Sequence, residues 1–213
     1  KQTLDDLVEM LFSLIGDDGT IVIPSYTKHF TRFRKRPEIF FHRNVDSTSG
    51  SLSNHLLKHP RALRSSHPTN SVVAIGRYAE DIVKNHDEHS SSYRPILKVI
   101  ELGGKNLMLG CFDDFRLAPV ALHAAQEKLG YTSKNWMSGY IQTYFYNHSG
   151  EKKLFTRFDI GGCASGAYKD LGHHFKIGAI DILKTGNSKS ALIDTKKAYE
   201  LFFEILQKQP EII

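Results

Sequence analysis

One run of the sequence concentrates side chains that can bind or polarise a ligand. Within eight residues it places four hydroxyls, an imidazole and a guanidinium, in the order Arg64-Ser65-Ser66-His67-Pro68-Thr69-Asn70-Ser71. Hydroxyl and guanidinium donors bind phosphate or amide oxygens. The same residue types also suit a hydrogen-bonded turn in which Pro68 only sets the backbone, and on residue types alone that plainer interpretation is favoured.

A second set of chemically active side chains follows a helical spacing. His123 precedes Gln126 by three residues and Glu127 by four, so a helix would place all three on roughly one face. Imidazole titrates near neutral pH and commonly accepts protons in enzymes. Gln126 can hold an imidazole by a hydrogen bond but brings no charge. Glu127 either supplies that charge or is an ordinary solvated residue, and both interpretations stay open.

The remaining histidines and cysteines offer weaker sites. Three pairs of histidines have short spacings without an evident third ligand: His55 with His59, His86 with His89, and His173 with His174. We therefore expect surface or hydrogen-bonded histidines and no catalytic metal. Cys111 follows an apolar run and Gly110, a position that suits an acyl-cysteine nucleophile. A small buried thiol is the favoured interpretation.

A basic and aromatic stretch runs from Lys28 to Arg43. It holds six Lys or Arg and four Phe, and we interpret it as a long loop. Its phenylalanines either pack inward while its charges face water, or the stretch forms a basic wall beside an anionic ligand. Binding of a nucleic acid strand is the third and least favoured interpretation.

Composition limits the class of protein. The 213 residues carry a net charge of +5, with 40% hydrophobic and 24% charged residues, which is ordinary for a globular protein. A basic balance favours anionic partners. No apolar run is long enough to span a membrane, and no signal-peptide pattern opens the chain. The two cysteines, Cys111 and Cys163, are far apart, which fits a cytoplasmic location. Lys1 lies within a helix-like pattern, so we expect an upstream segment to be missing.

Hydrophobic periodicity and turn residues predict the elements that position these side chains. Helices are predicted at residues 4–15, 51–57, 78–86, 118–129 and 196–207, and strands at 20–23, 71–75, 105–110 and 190–195. Residues 138–158 alternate around Asn147-His148-Ser149-Gly150, which predicts a hairpin. Strands 20–23 and 105–110 are expected to be buried. The sum is a single α/β domain over residues 1–213, with a mixed sheet covered by helices and an appended antiparallel hairpin.

Several of these segments resemble the aminoglycoside 3-N-acetyltransferase family. Pro60 to Gly76 is similar to the central motif of that family, an Arg-Ser pair, a His-Pro and a Ser-Val followed by Ala-x-Gly. Gly19 to Thr27 resembles its Gly-Thr-hydrophobic-Pro strand, and Asn44-Val45-Asp46-Ser47 stands where the family usually has Asn-Thr-Pro-Ser. Arg94 stands where the family usually has Ser. The resemblance covers nearly the whole chain and weakens after about Tyr131.

The resemblance implies a catalytic pair on one helix. His123 matches the general base of the Leu-His-x-x-Glu motif, but Gln126 occupies the position of its Glu, and Glu127 is the nearest carboxylate. Val120 replaces a Thr of the family, and the preceding loop, which includes Asp114, is about three residues longer than in the family. These departures predict a weakened catalytic pair, which would slow turnover without abolishing binding.

The resemblance also implies acetyl-coenzyme A as co-substrate. The family motif assigns cofactor binding to Arg64, Ser65, Ser66, His67 and Ser71. The Ser-rich loop with which the family helps to hold coenzyme A phosphates does not precede Thr3, so we expect it either in the missing N-terminal segment or not at all.

The implied acceptor is the primary amine of an amino sugar, attacked directly in a ternary complex. Asn44, Ser47 and Asp114 are predicted to line its site. Aminoglycosides are polycations, and the net charge of +5 favours a neutral or anionic sugar, such as a nucleotide-linked one used in surface-polysaccharide biosynthesis. The alternative is a non-catalytic module that binds coenzyme A or a saccharide.

Overall fold

The computed structural model describes residues 3–27, 31–32, 40–41, 44–112, 119–130, 140–147, 149–158 and 178–210. The helices in these residues are α1 (Leu4–Ile15), α2 (Ser51–Leu56), α3 (Ala79–Val83), α4 (Arg94–Glu101), α5 (Val120–Leu129) and α6 (Thr195–Lys208). The strands are β1 (Thr20–Pro24), β2 (Thr31–Arg32), β3 (Phe40–Phe41), β4 (Leu63–Arg64), β5 (Val72–Gly76), β6 (Lys105–Met108), β7 (Tyr140–Tyr146), β8 (Lys152–Phe158), β9 (Ile180–Thr185) and β10 (Ser188–Asp194). The chain forms two compact units, one of residues 1–95 with 140–157 and one of residues 96–139 with 158–213.

Helix α1 confirms its prediction at both ends. Thr3 accepts a hydrogen bond from the Asp6 amide, and Asp6 accepts one from the Thr3 amide, a capping box that satisfies two free N–H groups. Gly16 ends the helix at a φ of 69°. Val8, on the inward face of α1, packs against Leu56 of α2 and against strand β5.

The first sheet has the order β1-β5-β4, and both of its ladders are antiparallel. β5 lies in the middle, and its residues Val72 to Ile75 are 1–2% exposed. β1 was expected to be buried, but it is only half-buried, because it forms an edge of the sheet. The central strand therefore forms the most buried part of this sheet.

A second sheet in the same unit is organised around β7. β2 pairs with β7 antiparallel, β3 pairs with it in parallel, and β8 follows it in a hairpin. This confirms the predicted hairpin, whose turn is held by Asn147: its side-chain oxygen accepts from the amides of Ser149 and Glu151. The interpretation of residues 28–43 as a loop is wrong for 31–32 and 40–41, which form strands, and the rest of that stretch lies outside the described residues.

The second unit combines the antiparallel sheet β6-β10-β9 with α5 and α6. Ala121 and Ala125 of α5 pack in one core with Ala198 of α6, and all three are fully buried. Small side chains of this kind let the two helices approach closely. The strand at 105–110 was expected to be buried, but β6 is an edge strand and of its residues only Met108 is buried.

The predicted fold class is confirmed as an α/β fold with helices, a hairpin and mostly antiparallel strand pairs, although the described strands form three sheets rather than one. Elements α4 and β9 were not predicted. α4 is a short helix with Pro95 in its first turn, and β9 lacks the alternation of a half-buried strand, since five of its six residues are exposed. No helix within the described residues is long and apolar enough to cross a membrane.

The close pairing of β1 and β5 predicts a severe effect of Gly76→Ala. Gly76 has a φ of 127°, and an added Cβ would lie 2.2 Å from the Gly19 carbonyl oxygen and 2.7 Å from the Thr20 Cα. Backbone atoms cannot move aside as side chains do. We expect the free energy of unfolding to fall by about 3 kcal/mol, from strain and overlap together. Urea denaturation measures it.

Gly150→Ala is the matched control. Gly150 has a φ of 77°, but nothing lies within 4 Å of the added carbon. This variant should lose only the conformational strain, about 1 kcal/mol. Equal losses in the two variants would contradict the proposed overlap at Gly76.

Candidate functional site

The run of residues 64–71 forms a turn between two antiparallel strands of the first unit. Arg64 ends β4 and pairs with Val73 of β5. Ser65 continues the ladder, because its amide donates to the Val72 carbonyl at 3.0 Å and its hydroxyl accepts from the Val72 amide at 2.9 Å. We call residues 64–71 the 64–71 turn. Its position is therefore fixed by the central strand of the sheet.

Arg64 is a buried cation whose guanidinium joins three segments of chain. Nε donates to the Ser71 hydroxyl at 3.2 Å, Nη1 to the Val45 carbonyl at 2.5 Å and Nη2 to the Ser25 carbonyl at 2.8 Å. Burial lowers its pKa to about 10, and the nearby charge of Asp46 opposes the shift. The side chain is thus charged at neutral pH, and its hydrogen bonds hold the three segments of chain together. Its predicted role in cofactor binding stays a prediction.

Ser71 extends the β1–β5 ladder beyond both strands. Its hydroxyl donates to the Ser25 carbonyl at 2.7 Å, and its carbonyl accepts from the Ser25 amide at 2.9 Å. Two residues further along, the Thr27 amide donates to the Thr69 carbonyl at 3.2 Å, and the Thr27 hydroxyl donates to the Pro68 carbonyl at 2.8 Å. Ser71 and Ser25 are fully buried. The groups of Pro68, Thr69 and Ser71 named here therefore form their hydrogen bonds within the protein.

His67 shapes the turn from inside. It is fully buried, and its Nδ1 accepts from the amides of Thr69 and Asn70 at 3.3 and 3.0 Å. In a neutral ring the proton then lies on Nε2, which is 3.5 Å from the Ser92 hydroxyl. Phe155 presents its edge to the ring, with the centroids 5.4 Å apart. His67 therefore fixes the backbone of the turn.

His86 lies against His67 in the same buried cluster. The two rings stack with centroids 4.8 Å apart, and the Nδ1 of His86 lies 2.9 Å from the Ser65 hydroxyl. Burial lowers the pKa of His86 to about 4. This confirms the expectation of a hydrogen-bonded histidine at residue 86. Ser66, by contrast, is partly exposed, and its amide donates to the His86 carbonyl at 2.9 Å.

The predicted substrate residues Asn44 and Ser47 lie in a neighbouring loop of the same unit. Ser47 is buried, and the side-chain amide of Asn54 bonds both its main-chain groups, accepting from its amide at 2.7 Å and donating to its carbonyl at 2.8 Å. The Ser47 hydroxyl donates to the Tyr26 carbonyl at 3.3 Å. Asn44 is exposed, and Asp114 lies outside the described residues. Whether any of these residues binds a substrate stays a prediction.

The predicted catalytic residues lie on α5, in the second unit. A helical turn of 3.6 residues places Gln126 and Glu127 on either side of His123. Gln126 is on the core side of the helix and is 4% exposed, while His123 and Glu127 are partly exposed. The predicted common face is thus confirmed, with the amide inside and the carboxylate nearer to solvent. Val120 is the first residue of this helix.

The structure corrects one minor prediction and leaves the metal prediction open. Cys111 is exposed rather than buried, because the chain turns at Gly110 and Phe112 occupies the buried position.

The His55 side chain pairs with the Asp5 carboxylate at 3.0 Å. Within the described ranges no three His, Cys, Asp or Glu side chains form a cluster that could hold a metal ion. Cys163, His173 and His174 lie outside those ranges.

Sequence reasoning missed three residues that support the turn and the loop. The Ser25 carbonyl and the Ser92 hydroxyl contact Arg64 and His67, which are distant in sequence, and the Asn54 amide contacts Ser47, seven residues before it. Asn54 offered a weak signal as an amide in the middle of a short helix. Ser25 and Ser92 offered none, because their roles depend on tertiary contacts.

Solved structures of other proteins share this fold. The structure of AAC-IIIb in its binary complex with CoASH superposes with a TM-score of 0.75 at 23% identity, over 97% of this chain and 84% of that one. That of AAC-VIa bound to sisomicin gives 0.78 at 21% identity, over 97% and 85%. At these identities the likeness establishes the fold.

The sequence comparisons establish the family. The model of the aminoglycoside 3-N-acetyltransferase family matches residues 1–207, and the chain belongs to this family. Aminoglycoside N(3)-acetyltransferase III of Salmonella sp is 31% identical over 119 residues, which are 53% of this chain. A protein of the same name from Enterobacter cloacae matches to the same extent. The match spans only 39% of the length of each of these relatives.

The contacts of Arg64 predict that Arg64→Met destabilises the first unit. The substitution removes the Arg64 donors to the Val45 carbonyl, to the Ser71 hydroxyl and to the Ser25 carbonyl, which keeps only the Ser71 hydroxyl as a donor, and an unpaired buried group costs about 1–3 kcal/mol. We expect a loss of about 3 kcal/mol in the free energy of unfolding, measured by urea denaturation. Arg77→Met is the control, because Arg77 is exposed and its guanidinium contacts Asp18 and the Tyr78 ring at the surface, and it should lose less than about 1 kcal/mol. Similar losses in both variants would refute the structural role.

The buried imidazole of His86 predicts a stability that depends on pH. Because the pKa of His86 is about 4 in the folded protein and its ordinary value is 6.5, the unfolded chain takes up the proton first. The contribution is complete above pH 6.5 and is lost as the pH falls towards 4. Between pH 7 and pH 5 the loss should be about 2 kcal/mol. Unfolding of the unaltered protein and of His86→Gln, compared at both pH values, isolates this group; parallel curves would contradict it.

Proposed function

We propose that this protein transfers the acetyl group of acetyl-coenzyme A to the primary amine of an amino sugar. The observation that carries the proposal is the α5 face, where His123 is partly exposed between Gln126 and Glu127. Membership of the aminoglycoside 3-N-acetyltransferase family supports it, and so does the fold shared with AAC-IIIb, whose structure holds CoASH.

In the proposed mechanism both substrates bind before any bond changes. The amine nitrogen attacks the thioester carbonyl, a C–N bond forms, and His123 accepts the proton that the nitrogen loses. The C–S bond then breaks, and the thiolate of coenzyme A leaves and takes up a proton from the imidazolium. A positioned general base of this kind contributes about 100- to 10,000-fold to the rate.

Gln126 and Glu127 are proposed to assist His123 in different ways. Gln126 is buried, so its amide can hold the imidazole in place without the cost of burying a charge. Glu127 lies nearer to solvent, and its carboxylate favours the imidazolium that forms during the reaction. Activity measured on Glu127→Gln and on Gln126→Ala separates the two roles.

The 64–71 turn is proposed to bind acetyl-coenzyme A. Its support is the combination of Ser66, which is partly exposed, and the positive charge of Arg64 beneath the surface, which favours an anionic or oxygen-rich ligand. Polarisation of the thioester oxygen by donors of the turn would stabilise the charge that develops as the amine attacks.

The proposed acceptor is a neutral or anionic amino sugar, such as a nucleotide-linked one. A net charge of +5 disfavours a polycation at long range, although sisomicin is the ligand of a protein with this fold. Asn44, Ser47 and Asp114 are proposed to line the sugar site. An aminoglycoside remains the acceptor that the names of the relatives suggest.

The second candidate function is a binding module without catalysis. It is favoured by one observation, that an uncharged and buried Gln126 occupies the position of the carboxylate in the family motif. Such a module would bind coenzyme A or a saccharide and release no thiol with any amine.

Thiol release from acetyl-coenzyme A, measured across aminoglycosides and nucleotide-linked amino sugars, tests the proposal. We expect turnover with at least one amine, and a fall of about 100- to 10,000-fold in kcat/KM for His123→Ala. The affinity for coenzyme A should change less than twofold in that variant. His89→Ala is the matched control, because His89 is exposed on the first unit.

Two results would count against this function in different ways. Binding of acetyl-coenzyme A without turnover on any amine would support the module instead. Turnover that survives His123→Ala would reject the proposed base and leave the transfer reaction in place.

A further inference from the structure

The 64–71 turn separates into residues that support it and residues that a ligand can reach. Arg64, Ser65, His67, Pro68, Thr69 and Ser71 are all buried. Ser66 and Asn70 are the two partly exposed residues. A molecule that approaches from solvent therefore meets these two residues before any of the others.

The side chain of Asn70 is held in one orientation. Its Oδ1 accepts from the Thr69 hydroxyl at 2.8 Å, and Thr69 is 2% exposed. The Thr69 hydroxyl has a poorer alternative in the Nδ1 of His67 at 3.5 Å, a nitrogen that already accepts the Asn70 amide at 3.0 Å. The hydroxyl proton is therefore directed to Oδ1, and the Nδ2 of Asn70 keeps its two N–H groups.

Those N–H groups have no acceptor among the described residues. The main chain of Asn70 is also fixed, because its amide is bound to His67. The side chain is thus a donor whose orientation is set before a ligand arrives, so little conformational entropy is lost on binding. A donor of this kind suits an oxygen acceptor, and the buried positive charge of Arg64 in the same turn favours the same kind of ligand.

We infer that Asn70 is a ligand-binding residue whose Nδ2 donates to a phosphate or carbonyl oxygen of coenzyme A, and that Thr69 is the positioning residue that orients it. This inference rests on the proposed function of the turn. It moves the direct contact from the buried Arg64, Ser65 and Ser71 to the partly exposed side of the turn. Phosphate and amide carbonyl oxygens accept the same hydrogen bond, so the ligands used in the experiment distinguish them.

Calorimetry with coenzyme A on the unaltered protein, Asn70→Ala and Asn187→Ala tests the contact. Loss of one hydrogen bond should raise the Kd of Asn70→Ala about 5- to 10-fold. Asn187 lies in the exposed turn between β9 and β10, and Asn187→Ala should bind within twofold of the unaltered protein. Thermal melts confirm that each variant is folded, and Asn70→Ser is the substitute if the alanine variant is not.

The positioning role of Thr69 has a separate signature. Thr69→Val removes the hydroxyl that orients the amide and should weaken binding. The double variant Thr69→Val with Asn70→Ala should bind no more weakly than Asn70→Ala alone, because the two residues act through one contact. Additive losses would contradict the orienting role and indicate a structural effect of Thr69.

Comparison of coenzyme A, dephospho-coenzyme A and pantetheine identifies the acceptor oxygen. If the effect of Asn70→Ala persists with pantetheine, the acceptor is a carbonyl; if it disappears once phosphates are removed, the acceptor is a phosphate. Equal Kd values for Asn70→Ala and the unaltered protein would overturn this inference and leave the proposed function intact. Absence of coenzyme A binding by the unaltered protein would overturn both.

Discussion

The buried guanidinium of Arg64 is the interaction on which the first unit depends. It joins the end of β4 to the residues after β1 and to the loop at residue 45. A guanidinium donates five N–H groups from three nitrogens in a planar fork, whereas an ammonium donates from a single nitrogen. The charge is retained despite burial, because the pKa of about 10 is still well above neutrality. The loop at 44–49 and the 64–71 turn are therefore placed by the same cation.

Two buried imidazoles fill the space behind the turn in a related way. His67 accepts hydrogen bonds from main-chain amides, and His86 lies within hydrogen-bond distance of the Ser65 hydroxyl. Burial lowers the pKa of His86 to about 4, so this ring makes its contact without a charge at neutral pH. The polar composition of the motif thus has two purposes. Most of its groups build the turn, and a minority face outward where a ligand can reach them.

Sequence reasoning succeeded where the determinants are local. The extent of α1 follows from helical periodicity and from Gly16 at its end, and the shared face of His123, Gln126 and Glu127 follows from the same periodicity. It failed where the burial of a residue depends on segments that are distant in the sequence. The same residue types occur on the inside and on the outside of the 64–71 turn, and its contacts with residues 25–27, His86, Ser92 and Phe155 decide which are buried. Burial of β1 and β6 was overestimated for the same reason, because edge positions are set by strand order.

The second sheet of the first unit has a consequence for how members of such a family can diverge. β2 pairs with β7 in the antiparallel direction and β3 pairs with it in parallel. Both pairings are made by main-chain hydrogen bonds, which are largely indifferent to side-chain identity. The amino-acid sequences of β2 and β3 can therefore diverge between relatives while both strands keep their register with β7.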